Sequence, residues 1–520
     1  MLHPHSLPQP GKRTLARWLA VALLPLAATA AAAAEIKTEA LDGKGVWLDP
    51  RLESLNPKSR IRATVWFEQQ LLGDGAAYLR RSREFDTIGR TELRELTIRA
   101  LKSAAESSRE KARPKLENID DISNLEFHWI VNGFSCTTNR DGIDALKKVP
   151  GVRKIFLAGR NRSGSPLPPD SPAWKNSSET DPFDPASGNP LWYIEKLHAD
   201  RVWKELGVTG NGVLNVVHDS NFILSDWISG TLYQNPADPI NGRDDDNNGL
   251  IDDTHGFNFT HNDRQLTTRM LPKTGRLGPA LHGHQCVGII CGREGDKRPV
   301  QPGLAPDSRW AGVTASQRIE SAVEWAVEHG ADTYSMSFSS PGLGDYRSHW
   351  RKVMEHGSFC GVHFVSGAGN FAKTAKVPVQ MRIPEDIPHA VFAAAGVQRD
   401  LSRTPFSSQG PVEWNTEHYH DGQVDKPEVC AFNYQVPMLL PTGGQPTQTV
   451  NGNSFAGPMY CGTIALVLSA NPELKPWETR RIIIETATDV AAEGYDFQTG
   501  HGLINIYEAV KRAQATRKDR

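Results

Sequence analysis

A chain of 520 residues, with 58 Lys and Arg against 60 Asp and Glu, carries a formal net charge of -2. That length exceeds one ordinary domain and offers ample apolar residues for an enzyme-sized core. The near-neutral balance gives no electrostatic reason to expect nucleic acid or an anionic membrane as a partner.

At the N-terminus, Lys12, Arg13 and Arg17 precede an apolar run from Trp18 to Ala34 that ends Ala32-Ala33-Ala34. A basic start, an apolar core and a small-residue end read as a secretory signal over residues 1–34. The competing reading is an uncleaved anchor, since the run is nearly long enough to span. No later apolar stretch approaches that length, so the expected product is secreted or periplasmic, without a stable membrane span.

Residues 35–160 read as a small α+β unit. Arg60–Phe67 and Phe127–Val131 have strand character, Ala76–Leu116 is rich in Arg, Glu and Leu and reads as one long helix, and Asp141–Lys148 reads as a short one. Pro150-Gly151 turns into a further strand, Val152–Leu157. Residues 161–190, rich in Ser, Pro, Asn and Asp without periodicity, read as an exposed linker.

From residue 191 to 513 strands alternate with helices, and residues 514–520 form a basic tail. Val213–His218, Ala331–Phe338, Gly361–Ser366 and Ala390–Val397 are short apolar strands. Ser321–His329, Pro458–Ala470 and Pro476–Ala487 are helices, with Gly330 marking an end and Pro476 a tolerated start. This alternation predicts an α/β domain with a largely parallel sheet. Of the six cysteines, Cys286, Cys291 and Cys461 lie among Val, Ile, Gly and Ala, which favours buried free thiols over a disulfide framework. No short-spaced Cys/His pairs suggest zinc.

Three element boundaries carry the chemistry. Asp219 follows an apolar strand, His282 opens a Gly-rich apolar segment, and Ser454 precedes an apolar helix. A serine hydroxyl needs an adjacent base, and that base needs a group to fix its tautomer. An acid, an imidazole and a hydroxyl in the order Asp, His, Ser meet that need. Taken singly, Ser454 reads as a helix N-cap and Asp219 as the start of a turn. Asn370, after Ala368-Gly369, is placed to aim its amide at a developing oxyanion.

Trp192 to about Ala513 resembles the subtilase (subtilisin-like) family of serine peptidases through several motifs in order. These are Val213–Asp219, His282-Gly283 with Gly288-Ile289-Ile290, Gly303-Leu304-Ala305-Pro306, and Ser335-Met336-Ser337-Phe338. They continue with Ala368-Gly369-Asn370, Phe406–Gly410, the segment Gly452–Gly462 around Ser454, and Gly500–Asn505. The resemblance implies a subtilisin-like parallel sheet flanked by helices and an endopeptidase acting through an acyl-enzyme on protein or peptide substrates. It assigns Ser454 as nucleophile, His282 as base and acid, Asp219 as orienter and Asn370 as oxyanion donor. It also implies that Ser335, Ser337 and Phe338 pair with extended substrate as an edge strand, with Gly367 and Ala368 on the opposite wall. The chain departs from the family at Asn221, His284-Gln285 and Asn453. Asn221 stands where a Gly is usual and tolerates the same left-handed backbone. The rival reading is a catalytically weak or inactive relative acting as a binding or scaffold module.

The unit before the linker resembles the inhibitory propeptides of that family through Val131–Ser135 and Leu146–Val152. This implies a zymogen whose own propeptide is a partner. Finally, Asp244, Asp246, Asn248, the Leu250 carbonyl and Asp252 fall at positions one, three, five, seven and nine of a calcium loop, with Gly249 sixth. His255 at the twelfth place breaks the full motif. Dense carboxylates repel unless neutralised, which favours Ca2+ over a solvated acidic loop.

Overall fold

The computed structural model describes residues 36–159, 181–182, 192–266, 281–293, 302–315, 317–439 and 448–517. The expected signal, nearly all of the expected linker and the end of the basic tail lie outside the described residues. The first sheet contains β1 (Trp47–Leu48), β2 (Ile61–Phe67), β3 (Ser123–His128), β4 (Gly133–Thr138) and β5 (Val152–Leu157). Their order is β1-β5-β2-β4-β3, antiparallel except for β1 against β5.

Two details depart from the sequence reading. The long helix is broken into α1 (Ala77–Glu84) and α2 (Arg90–Leu116). The break follows from a distant contact: the Arg90 N–H donates to the Glu473 carbonyl at 3.1 Å and the Thr91 N–H to its carboxylate at 3.3 Å. An acidic group at these otherwise unpaired donors starts a new helix. The second departure is at Trp129–Val131, expected to extend a strand. Here the Trp129 and Ile130 N–H groups donate to Glu324 at 2.5 and 2.9 Å, the chain turns, and it returns as β4. The short helix appears as α3 (Arg140–Leu146).

The second sheet consists of β6 (Leu214–His218), β7 (Gly256–Asn258), β8 (Arg309–Thr314), β9 (Thr333–Met336), β10 (His363–Gly367), β11 (Val391–Val397) and β12 (Val429–Phe432). All seven are parallel, in the order β7-β8-β6-β9-β10-β11-β12. The helices are α4 (His282–Cys291), α5 (Ile319–Glu328), α6 (Tyr346–Phe359), α7 (Asn453–Ala470), α8 (Pro476–Thr486) and α9 (Ile506–Thr516). The sheet and its flanking helices are the α/β architecture expected. Helix α7 is apolar and buried on nearly all sides, as a helix enclosed by a sheet and neighbouring helices must be. All six cysteines are buried and free, as their apolar surroundings suggested. No described helix is long and apolar enough to cross a membrane.

Both sheets belong to one compact unit. Along β2, Val65 and Phe67 enter a core with Ile143 and Leu146 of α3, whereas Trp66 points the other way. Trp66, Leu72, Tyr78, Ile130 and Phe156 join the main core that contains the seven-stranded sheet. Burial on both faces explains why the alternation of Ile61-Arg62-Ala63-Thr64-Val65 gives way to three consecutive apolar residues, Val65-Trp66-Phe67. Polar groups inside this junction are paired. The Trp66 indole N–H donates to His349 Nδ1 at 2.8 Å, so Nε2 carries the ring proton and donates to Glu320 at 2.6 Å. The Lys352 ammonium donates to the Leu72 and Gly73 carbonyls at 3.0 and 2.6 Å.

Candidate active site

Parallel strands bring their C-terminal ends to one edge, and in open α/β sheets that edge is where ligands bind. Met336 stands level with His218 on one side and with Ser366 on the other. Asp219, Ser337 and Asn370 therefore leave the sheet together, just beyond β6, β9 and β10.

The Asp219 backbone is held on both sides, its N–H on Val313 O at 3.0 Å and its carbonyl accepting the Thr314 hydroxyl at 2.7 Å. Asn221 adopts φ 62°, so it supplies the left-handed turn usual for glycine. The same turn receives α4: the Gly283 N–H donates to Ser220 O at 3.0 Å. A Cβ on Gly283 would lie 2.5 Å from that oxygen, so only glycine permits the approach. His282, opening α4, then places Nδ1 2.9 and 2.8 Å from the two Asp219 carboxylate oxygens. Burial disfavours the imidazolium, but the adjacent Asp219 charge outweighs it and holds His282 well above the ordinary histidine value.

Ser454 lies inside the first turn of α7, not at its cap. The N-cap is Gly452, at φ 140°, and makes no side-chain capping bond. The Ser454 hydroxyl donates to Ser337 O at 3.3 Å. Four residues on stands Pro458, which has no N–H to offer the Ser454 carbonyl. That carbonyl accepts instead from the Ser337 hydroxyl at 3.0 Å, and the Cys286 thiol lies 3.5 Å away. Cys286, one turn after His282, is also 3.6 Å from Asp219 Oδ2. The Phe455 ring stands 5.8 Å from the imidazole. The acid, imidazole and hydroxyl segments thus converge on one spot.

Asn370 accepts the Asn453 N–H on Oδ1 at 2.8 Å, which makes Nδ2 the donor end of its amide. Sequence reading treated Asn453 only as a departure from the family pattern. Its side chain is fully buried and donates to Gly369 O at 2.6 Å and to Ser407 Oγ at 3.0 Å, while accepting from Asn433 at 2.6 Å. It braces the segment that carries Asn370. A Pro four residues after Ser454 was a readable sign of the Ser337 bond; nothing local pointed to the Asn453 network.

The substrate-facing residues divide. Ser335 cannot offer an edge, because β9 is hydrogen-bonded on both sides, to β6 and β10. Beyond Met336 the chain leaves the sheet, with Ser337 still buried and partial exposure starting at Phe338. Phe338 packs edge-on against His218 at 4.7 Å. Gly367 meets the nucleophile turn, where a Cβ would lie 2.0 Å from Asn453 O, and Ala368 is tied to Ala394 O at 2.8 Å.

In the acidic loop, Asp244 accepts the Asn248 and Gly249 N–H groups at 3.1 and 2.9 Å, and Asp246 accepts that of Asn248 at 3.2 Å. Asn248 Oδ1 accepts the Leu250 N–H at 2.8 Å. These oxygens share one turn, whereas Asp252 is directed to the Asn241 and Gly242 N–H groups at 2.7 and 2.8 Å. The close group of possible ligands that involves this loop is Asp246, Asp253 and His329. Asp253 and His329 were not singled out from the sequence. Hard oxygen donors in a tight turn fit Ca2+ through Asp244, Asp246 and Asn248.

Residues 238–502 match the profile described as the Subtilase family. The match includes His282, Asn370 and Ser454 and begins after Asp219, whose place rests on its geometry against His282. The chain is 25% identical over 334 residues to a probable subtilase-type serine protease of Deinococcus radiodurans, covering 62% of this chain and 43% of the relative. It is 22% identical over 463 residues to bacillopeptidase F of Bacillus subtilis, covering 80% and 28%. It is 27% identical over 279 residues to a calcium-dependent protease of Nostoc sp., covering 45% and 40%. The chain spans less than half the length of each of these relatives. With that profile across half its length and the seven-stranded parallel sheet beneath its site, the chain belongs to the subtilase family.

Proposed function

We propose that this protein is an exported serine endopeptidase, made as a zymogen, that hydrolyses peptide bonds through an acyl-enzyme. The observation that carries this reading is His282, gripped at Nδ1 by both Asp219 oxygens beside the Ser454 turn. His282 Nε2 takes the Ser454 proton as the hydroxyl attacks the scissile carbonyl, then delivers it to the leaving amine. Asp219 holds the tautomer and stabilises the imidazolium. The Ser454 N–H, in a first helical turn with no intrahelical partner, and the Asn370 amide serve the developing oxyanion. Water then enters by the same base to release the acyl group.

Residues 35–160 act as the inhibitory propeptide. Support comes from the Arg51 guanidinium, which donates to Leu157 O at 2.7 Å and Gly159 O at 3.1 Å and so holds the strand leaving this unit. Export rests on the signal-like residues 1–34. Ca2+ neutralises the acidic loop and stabilises it, and the name of the Nostoc relative, a calcium-dependent protease, supports the choice of ion.

A fluorophosphonate serine probe tests the reading. Labelling of the purified protein that disappears in Ser454→Ala supports it, and a folded wild type that takes no label sinks it.

A further inference from the structure

Glu385 is fully buried, yet one of its carboxylate oxygens, Oε2, has no hydrogen bond. The other, Oε1, accepts the Ser339 hydroxyl at 2.5 Å. Burial pushes this carboxyl up to about 8, against the Ser339 hydroxyl and nearby N–H groups that favour the charge. Among the described residues no cation is placed against it. The nearest charged neighbours are spoken for: Asp386 has Arg347 at 3.8 Å, and the Arg382 guanidinium lies 3.8 Å over the Phe371 ring.

Its position is specific. Ser340 pairs with Ile383, its N–H on Ile383 O at 2.7 Å, which pins the 383–385 segment beside the strand continuation that begins at Ser337. On the opposite wall Gly369, at φ +89°, lets the backbone approach the carboxylate closely: a Cβ there would lie 2.9 Å from Glu385 Oε1. Gly369 in turn is held by Asn453, the residue before the nucleophile, at 2.6 Å. A buried carboxylate thus sits between the segment that continues from Ser337, which bonds Ser454, and the Gly369 segment, which Asn453 holds, with an unused acceptor and, among the described residues, no counter-ion. A structural acid would be expected to have its acceptors filled, because an unpaired buried oxygen is costly. Groups of this kind cluster where a ligand completes them.

We propose that Glu385 selects a lysine or arginine side chain on the acyl side of the scissile bond. The proposal rests on the serine-peptidase reading above. An ammonium or guanidinium supplies both the missing donor and the missing positive charge, and a guanidinium can engage a carboxylate with two parallel bonds. Arg160 directly follows Gly159 and Arg162 comes two residues later, so the chain carries candidate substrates of its own.

The test is kinetic, with four peptide substrates that differ only at that residue: arginine, lysine, citrulline (the uncharged near-isostere of arginine) and leucine. We expect arginine and lysine to exceed citrulline and leucine in kcat/KM by about a hundredfold, and that ratio to collapse in Glu385→Gln. Glu385→Asp, which keeps the charge, should restore part of it. A fluorophosphonate label on Ser454 in each variant shows that the fold and nucleophile persist. If labelled wild type prefers leucine or cleaves citrulline as well as arginine, the Glu385 assignment is overturned while the peptidase reading stands. The same holds if Glu385→Gln lowers all four rates equally. A folded wild type that neither labels nor cleaves overturns both.

Discussion

The Ser337 hydroxyl donates to the Ser454 carbonyl at 3.0 Å because Pro458 leaves that carbonyl without its helical donor. A residue from the strand end thereby locks the orientation of the nucleophile's own peptide unit. Ser454 donates back to Ser337 O at 3.3 Å, so the two residues are bound reciprocally.

Ser337→Ala should leave a buried carbonyl with only a weak thiol neighbour and cost about 1–3 kcal/mol of stability. Restoring an N–H with Pro458→Ala should recover part of that loss. The measurement is a double-mutant cycle by denaturant unfolding, with a coupling of at least ~0.5 kcal/mol expected. Strictly additive losses would disprove the link.

Asn453→Ala should lower kcat more than it changes KM, by about tenfold, since it loosens Asn370 rather than a ground-state contact. Asn370→Ala itself should cost about two to three powers of ten in kcat, the size reported for the equivalent donor in subtilisin. Equal effects on KM alone would place Asn453 outside the catalytic arrangement.

Activity and stability should respond to pH with opposite signs at His282. Its value is raised in the fold, so its contribution to stability is full below the ordinary histidine value and is lost as pH rises through the raised one. Catalysis needs the neutral ring, so kcat/KM should climb as pH passes that same raised value. Asp219→Asn should shift the acid limb to lower pH and reduce kcat by about four powers of ten. An acid limb that does not move in Asp219→Asn would exclude Asp219 as the cause.

Calcium should raise the melting temperature by about 5 °C at saturating concentration, and a chelator should reverse it. Asp246→Asn should abolish the difference, because Asp246 belongs both to the loop turn and to the cluster with Asp253 and His329. A melting temperature indifferent to calcium and chelator removes the site.

Glu324→Ala should free two buried N–H groups, on Trp129 and Ile130, and destabilise the junction between the two sheets by about 2–4 kcal/mol. Differential hydrogen exchange should show faster opening of β3 and β4 than of β9 and β10. Uniform exchange would argue against a localised cap.

Local chemistry was legible in the sequence. The apolar runs became β2, β5, β6 and β9–β11, Gly330 ended α5, and Asn221 took the left-handed turn, because strand pattern, helix stops and turn propensity act over a few residues. The order of Asp219, His282, Asn370 and Ser454 was readable for the same reason: each motif is a short segment with its own backbone demand. Other features were decided only by residues far apart in the chain meeting in space. Glu473 broke the long helix, Glu324 turned the end of β3, and two flanking strands denied Ser335 an edge. Asn453 became a hub, Asp253 joined Asp246, and Glu385 came to lie beside Ser339 and Gly369. Burial and long-range hydrogen bonding set the role of each, and neither is encoded in a residue's immediate neighbours.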